Sequence, residues 1–485
     1  MRASHDLSRV SVSFDEPNLA PNAGLLPAAV LAQRIDLAGL VDRRLRLAGH
    51  GANSGTKALT VIGSILAGGD CIEDTAVLRA GATGGLLDLT RAPSTIGSWL
   101  RAHKWSNVRQ LDAVSRELLV RLWAAGAGPA DLSAPLTIDL DSTVVQVYGR
   151  DKQGAAFGYT RVRGYHPQLA TVAETGQVAF ARMRGGAAGA ARGAKSFLTE
   201  TVSRVRDAGA GGQLTVRADS AFYSRAVLAT AKTLNVRFSV TARQDTKVRA
   251  AIEAIDEAAW TPIPYWLSTP QVSGADVAET TATCFAGTRH AIQVRLVVRR
   301  VRPTPGSQLA LFTTWDYHAF VTDRTGELVQ IEADHRRHAI VEQSIAELKS
   351  AGLAHLPSGK FNANAAWLAL TVMAHNLARS VAILAGHDLT RATAATLRRR
   401  MFTVPGRLVR SGRRRRLRLP AHWPCCRRRR ASTRSPSTPS RRCSRPVRAG
   451  AADGRPARPG PAAARAPPQR AAPRSAPDSS HRRSW

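Results

Sequence analysis

The sequence predicts an α/β protein: a core of strands and helices, an all-helical region ahead of it, a β-rich insertion inside it and a disordered basic tail behind it. Three observations predict this. Residues 26–123 carry apolar side chains at three- and four-residue spacing, from Leu136 the period becomes that of strands, and after Gly193 strands alternate with helix-length segments. The chain has 485 residues, enough for two or three domains and at least one sizeable core.

Residues 1–26 are polar and turn-rich, with Phe14, Pro17 and Pro21, and are expected as an arm or edge strand. Three helical stretches follow: LPAAVLAQRIDLAGLVDRRLRL, KALTVIGSILAGG and VRQLDAVSRELLVRLW. Between the last two, Pro93 and Ser94 start a helix in APSTIGSWLRAHK. Its Arg101, His103 and Lys104 suit either a DNA-reading helix or an amphipathic helix with a solvated basic face. Ala124 to Pro135 is a Gly/Ala/Pro linker, so a boundary falls near residue 130.

Leu136 to Tyr148, LTIDLDSTVVQVY, is an apolar, β-branched strand with Asp139 and Asp141 in its middle. Unpartnered buried polar groups cost roughly 2–7 kcal/mol, and more when charged, so a cation is the natural partner of such acids. Two short strands, QLATVAE and QVAFARMR, flank the turn Glu174-Thr175-Gly176, and a helix spans Gly193 to Ala208. The strand QLTVRAD then ends at Asp219, a helix begins near Ser224, and VRFSVTA is a fifth strand. Three strands, helix, strand, helix, strand is the order of a ribonuclease H-like fold. Residues 244–315 interrupt it as the insertion, with Trp260, Trp266 and Trp315, before the strand HAFVTD returns to the core.

In IEADHRRHAIVEQSIAELK, a helix over 331–349, His335, His338, Glu342 and Lys349 fall near one face. Asp141, Asp219 and Glu342 can then meet as an oxygen-only cluster suited to Mg²⁺ or Mn²⁺, and two such ions can stabilise both oxygens of an in-line phosphoryl displacement. The alternative is that Asp139 or Asp141 caps a turn and Glu342 is solvated. The His335–His338 pair lacks a third nitrogen or sulfur ligand for zinc. Asn362 to Leu384 forms a further long apolar helix, expected to pack over the Glu342 helix.

The 69 Lys+Arg against 35 Asp+Glu give a net charge of +34, which points to a polyanion, with nucleic acid as the leading candidate. Five cysteines lack zinc spacing, nothing resembles a secretory signal, and the best apolar stretch, Ala365 to Ala385, is interrupted by His375, Asn376 and Arg379. A soluble protein of a reducing cytoplasm is expected. The last 61 residues hold 16 Arg and two Asp, with no Lys, Glu, Leu, Ile, Met, Phe or Tyr, and cannot build a core. That composition is read as a disordered basic arm, or as out-of-frame translation of a GC-rich gene from about Cys425.

LTIDLDSTVVQVYG, KQGAAFGYTRVRGYHPQLAT, RADSAFYS, HRRHAIVEQSIAELKSAGLAHLPSGKFNANAAWLAL and VPGRLVRSGRRRRLRLPAHWP together resemble the DDE transposases of bacterial insertion sequences, close to the family numbered thirteen-eighty. The resemblance implies a ribonuclease H-like core with a β-strand insertion before the glutamate and two Mg²⁺ ions. It assigns Asp141, Asp219 and Glu342 as the catalytic and metal-binding acids. Related transposases carry Tyr-x2-Arg-x3-Glu-x6-Lys around the glutamate; here the positions are His335, His338, Glu342 and Lys349, with Arg336 and Arg337 beside the arginine position.

The expected DNA contacts are therefore Lys349, Arg337, His338 and His335, with Trp260 either stacking a displaced base or packing in a core. The expected organisation is an arm and helical DNA-binding domain over 1–130, the core over 131–243 and 316–403, the insertion over 244–315, and a basic tail over 404–485. The partners implied are inverted-repeat ends and target DNA, bound by a homodimer in the bacterial nucleoid. Two other classes fit parts of the pattern. A ribonuclease H-like nuclease or resolvase would need neither the helical region nor the insertion, and a non-catalytic basic DNA-binding protein would not need the three acids.

Overall fold

The first element is a two-residue strand, β1 (Leu19–Ala20), after which the chain enters the helices that the apolar periodicity predicts. These are α1 (Leu26–Arg34), α2 (Leu37–Arg44), α3 (Ser54–Ala67), α4 (Thr83–Leu87), α5 (Pro93–Arg101) and α6 (Trp105–Leu122). The computed structural model describes residues 8, 10–87, 90–264, 274–302 and 315–423. All of them fall within one compact unit, Met1–Arg428; the arginine- and proline-rich segment from residue 424 lies outside the described residues, as does Trp266. On α5, Trp99 is buried and donates to Ser54 Oγ at 3.2 Å, while His103 turns inward to the Trp99 carbonyl at 3.0 Å. Of the basic residues at this helix, His103 thus belongs to the core, whereas Arg101 is exposed.

The strand period then produces β2 (Leu136–Ser142), followed by a small three-stranded sheet of β3 (Val145–Gln146), β4 (Ala156–Phe157) and β5 (Arg163–Tyr165) that the sequence reading did not anticipate. β6 (Gln168–Val172) and β7 (Gln177–Arg182) form the expected hairpin, turning at Gly176, whose φ of 69° suits glycine. The alternation α7 (Ala194–Asp207), β8 (Leu214–Ala218), α8 (Arg225–Thr233), β9 (Arg237–Thr241) follows in the order expected, with Ser224 capping α8 through the Val227 N–H. After α9 (Thr246–Glu253) come β10 (Thr261–Pro262), β11 (Ala275–Cys284), β12 (Ile292–Val301) and β13 (Asp316–Thr322).

Nine of these strands make one mixed sheet in the order β10-β11-β12-β13-β9-β8-β2-β6-β7. β2, β8 and β9 run parallel, β6 and β7 antiparallel beside β2, and β13 antiparallel beside β9. The strands of the expected insertion are therefore hydrogen-bonded into the same sheet as the acids, through β13. Trp260 lies against the Arg300 guanidinium, 4.4 Å from its ring centroid, and Trp315 takes the same group at 4.3 Å. Arg300 also pairs with Glu257 and Asp276.

Beyond β13 the sequence predicted one helix over 331–349, and here the structure corrects it. α10 (Leu328–Arg336) ends in a 3₁₀ turn at Arg337–Ala339, α11 (Ile340–Leu348) restarts, and a π turn at Lys349–Leu353 closes it. α12 (Phe361–Ala385) contacts α11, but packs more extensively on α3, α6 and β7. It is long and apolar enough to cross a membrane, yet it is mostly buried inside the fold. Its interrupting polar residues hold the β6–β7 hairpin. His375 bonds the Gly176 carbonyl at 2.8 Å, Asn376 bonds both backbone groups of Val178 at 2.8 Å, and Arg379 donates to the Thr175 carbonyl.

A second correction concerns the start of the expected basic tail. β14 (Gly406–Ser411) and β15 (Arg414–Arg418) form a hairpin, and β14 pairs with β1. Leu408 and Leu417 face each other across it and pack toward Ala20, Ala23 and Ala82, while Gly412 supplies the positive φ of the two-residue turn.

Candidate active site

β2 places Thr137, Asp139 and Asp141 on one face, because successive strand side chains alternate. β8 lies parallel to it with Arg217 opposite Asp139 and Ala218 opposite Leu140, so Asp219 emerges just past the strand's carboxyl end, level with Asp141. Asp219 stays there because its Oδ1 caps a short 3₁₀ turn, accepting from the Ala221 N–H at 3.1 Å. Glu342 comes from the first turn of α11, which packs on β2.

Asp139 is sealed and neutralised by the chain itself. Only 1% exposed, it accepts from Arg217 Nε at 2.5 Å and Nη2 at 2.8 Å, and from His338 Nδ1 at 3.0 Å. Arg217 extends the clamp to the Asp334 carbonyl on α10. Asp139 is thereby occupied as an ion-pair partner rather than as the cap of a turn.

Asp141 has no such partner among the described side chains; its carboxylate accepts from the Ser142 N–H at 2.6 Å. Burial, reinforced by the neighbouring carboxylates of Asp219 and Glu342 and only partly offset by His338 and the Ser142 amide, pushes its carboxyl up to about 6. The three expected acids are therefore brought into one another's fields. Their oxygens do not crowd: among the described residues, the one set of three possible ligand groups within 4.8 Å is Asp70, Cys71 and Asp74, elsewhere in the chain.

The flanking residues divide. His338 is part of the Asp139 clamp and lies within the field of Asp141. Arg337 is exposed and paired with Asp334 at 2.9 Å, and Lys349 is half-buried at the end of α11. His335 is engaged within the fold. Its ring stacks on Phe320 at 3.9 Å, and its nitrogens meet the Ser239 and Thr241 hydroxyls at 2.8 and 3.1 Å. Burial among cationic neighbours holds it neutral, well below the usual histidine range. The kink at Arg337–Ala339 is the reason: it sends His335 under the sheet and His338 toward β2. Trp260, with Arg300 on its ring, sits in a packed cluster rather than in an open stacking position.

Sequence reasoning missed three residues here. Arg217 was signalled by its place in VRAD, an arginine inside an apolar strand and two residues from an acid on the same face. His166 and Arg184 were not, although both are buried beside β6 and β7.

A family model for the transposase DDE domain, group 1, matches residues 3–433. The chain belongs to the DDE transposases. No curated protein matches it. Among solved structures, the cryo-EM structure of a piggyBac transposase synaptic complex with hairpin DNA is similar at a TM-score of 0.40 and 11% identity, over 78% of this chain and 79% of that one. In this transposase the acids that its sequence suggested stand at the β2 and β8 ends and in the first turn of α11, with Asp219 and Glu342 within electrostatic reach of Asp141.

Proposed function

We propose that the transposase binds the terminal inverted repeats of a bacterial insertion sequence, of the kind numbered thirteen-eighty, and catalyses Mg²⁺-dependent strand cleavage and strand transfer. The observation that carries this reading is Asp141, a half-buried carboxyl pushed up to about 6 beside two further acids and only partly offset by His338, with no ion pair of its own among the described residues. Divalent cations relieve such repulsion, and an oxygen-only donor set suits Mg²⁺, with Mn²⁺ as substitute. DDE transposases are generally dependent on divalent metal, which agrees with this donor set.

Asp141, Asp219 and Glu342 would hold two ions, which when bound supply Lewis-acid polarisation of the phosphate and charge neutralisation. The chain's own groups do the positioning. The Asp139–Arg217 clamp ties β2 to β8 and so fixes the offset between Asp141 and Asp219. His338 ties the start of α11 to β2 and so orients Glu342. Lys349 and Arg337 would neutralise DNA phosphates. The strand order β7-β6-β2-β8-β9 supports a ribonuclease H-like core, and the surplus of 34 positive charges supports DNA as the partner. A homodimer on the paired ends, working in the nucleoid of the cytoplasm, completes the proposal.

The test uses the purified chain, DNA carrying the element's end and Mg²⁺. Wild type should nick at the end, while Asp141→Asn, Asp219→Asn and Glu342→Gln should bind the end but leave it uncut. Tight end binding by wild type with no metal-dependent cleavage would sink the reading.

A further inference from the structure

The proposed chemistry leaves one built feature unused: a groove of about 660 Å³ beside β7, lined by Trp105, Ala156, Arg182, Arg184, Arg192 and Gly193 among others. Its floor is the segment that follows β7, fixed by close backbone packing. At Gly186 a Cβ would stand 2.2 Å from the carbonyl oxygens of both Ala156 and Gly164, so only glycine lets these strands approach. Arg184 is nine-tenths buried in this floor. Its Nε donates to the His166 carbonyl at 2.9 Å, and its Nη1 to the carbonyls of Gly189, Ala190 and Arg192 at 2.8, 3.3 and 3.1 Å. Its Nη2 is buried with no partner.

The charges around this donor are one-sided. Arg184 has no acid beside it, and burial together with Arg182 and Arg192 pulls it down to about 10. Arg182 is partly balanced by Glu200 and Asp112 and donates to Ser196 Oγ at 3.0 Å; Arg192 is exposed, with no ion pair among the described residues. The positive end of α7 adds to them: Gly193 caps that 14-residue helix at φ 75° with no side-chain cap and no acid in the first turn. At the rim stands Trp105, the first residue of α6 and 51% exposed. Arginines, a helix N-terminus whose Ala194 N–H is taken by the Ala191 carbonyl, and an exposed indole around one groove are the elements of a single-strand site, where cations take phosphates and an aromatic face takes a base. The groove floor is tied to the end of β2 that carries Asp141: the His166 carbonyl takes the Arg184 Nε–H, and the next residue, Pro167, accepts from the Thr143 N–H at 3.2 Å.

We propose that this groove binds a single-stranded stretch of DNA leading away from the acids, with phosphates on Arg192 and the α7 N-terminus above the buried charge of Arg184 and a base stacked on Trp105. It rests on the reading of the chain as a DNA-cutting transposase and names where the strand opened at the element's end is held.

The test measures binding of the full chain, free of metal, to a fluorescent oligothymidylate and to a hairpin duplex of equal phosphate number. Arg192→Glu and Trp105→Ala, both at exposed positions, are used with Arg184→Gln, and thermal melts verify folding. Arg192→Glu and Trp105→Ala should each weaken oligothymidylate binding by about tenfold, and Arg192→Glu should also flatten its salt dependence by at least about one phosphate's worth. Duplex binding should change by less than about twofold. Unchanged oligothymidylate binding in both exposed variants overturns the proposal, as does an equal loss on duplex, which would make the groove a duplex-backbone track. The two readings fail separately: with a wild-type single-strand site but no metal-dependent cleavage, only the transposition reading falls; with cleavage that needs the acids and no effect of groove variants, only the groove falls.

Discussion

Asp139 and Asp141 stand two residues apart on the same face of β2, and the fold surrounds them in opposite ways. Asp139 is closed over by Arg217 and His338, so its charge is cancelled inside the protein. Asp141 meets Asp219 and Glu342 instead, so charge of one sign accumulates and its carboxyl holds a proton up to about pH 6. The same side chain on the same strand is thereby a fastener in one place and an unsatisfied ligand in the other. Burial alone does not mark a functional acid; the sign of what lies opposite does.

The sharpest break of this contrast is catalytic. Asp219→Asn or Glu342→Gln should lower metal-dependent cleavage by at least about 10²–10³-fold, the scale for losing one group that meets transition-state charge, with end binding kept within a few-fold. Gel assays of cutting and of binding on the same DNA separate the two; a variant that cuts normally removes that residue from the acid set.

Asp139→Asn should act through folding instead. It leaves Arg217 buried without its counter-charge, which costs about 3–5 kcal/mol, readable by urea denaturation. Asp139→Leu combined with Arg217→Met should recover much of that loss, because the pair contributes little beyond cancelling its own desolvation. If Asp139→Asn is as stable as wild type, the clamp is not what holds β2 against β8.

Acidity distinguishes the two sites next. Asp141 has a raised folded pKa, so it favours the folded state fully below the unfolded value near 3.8 and loses that contribution as pH rises through about 6. The metal-free melting temperature should therefore carry a falling component between about pH 4 and 7 that Asp141→Asn abolishes. Mg²⁺ should raise the melting temperature at pH 7.5 and have little effect at pH 5, where protons already occupy the site; an equal rise at both values would contradict the assignment.

Two smaller effects test the periphery. Lys349→Ala should weaken binding to all DNA ends alike and reduce the salt slope by about 0.9, one duplex phosphate. Loss of discrimination between ends at an unchanged slope would refute that role. Truncation after Trp423 should leave the melting temperature almost unmoved, since the removed sequence lacks core-forming residues, while lowering non-specific DNA affinity through the loss of 16 arginines. Unfolding on truncation would show that this segment contributes to the core.

Much of the framework is readable from periodicity. The three-residue spacing of 26–44 and 54–67, the β-branched alternation of 136–142, and the serine that starts 225–233 are local signals, and each element formed where its signal lies. The arginine-dense 406–418 was harder, because charge masked the pairing of Leu408 and Leu417 about a Gly-Arg turn; the partner that makes those leucines worth burying, β1, lies almost four hundred residues earlier. The break at Arg337–Ala339 had no local sign at all. HRRHAIVEQ contains neither glycine nor proline, and its histidines fit one helical face until Ser239, Thr241 and Phe320 on two other strands claim His335 and Asp139 claims His338.

The sequence by itself determined which residues could form strands and helices, that carboxylates would stand in an apolar strand and at a strand's end, and that the chain would seek a polyanion. Those properties follow from side-chain chemistry and spacing, which are local. Which aspartate is neutralised and which is left open was decided only by tertiary structure, because it depends on the parallel register that sets Arg217 opposite Asp139 and nothing cationic opposite Asp141. That register is fixed by packing among segments far apart in the chain, where a shift of one residue would turn every side chain of β2 to the other face.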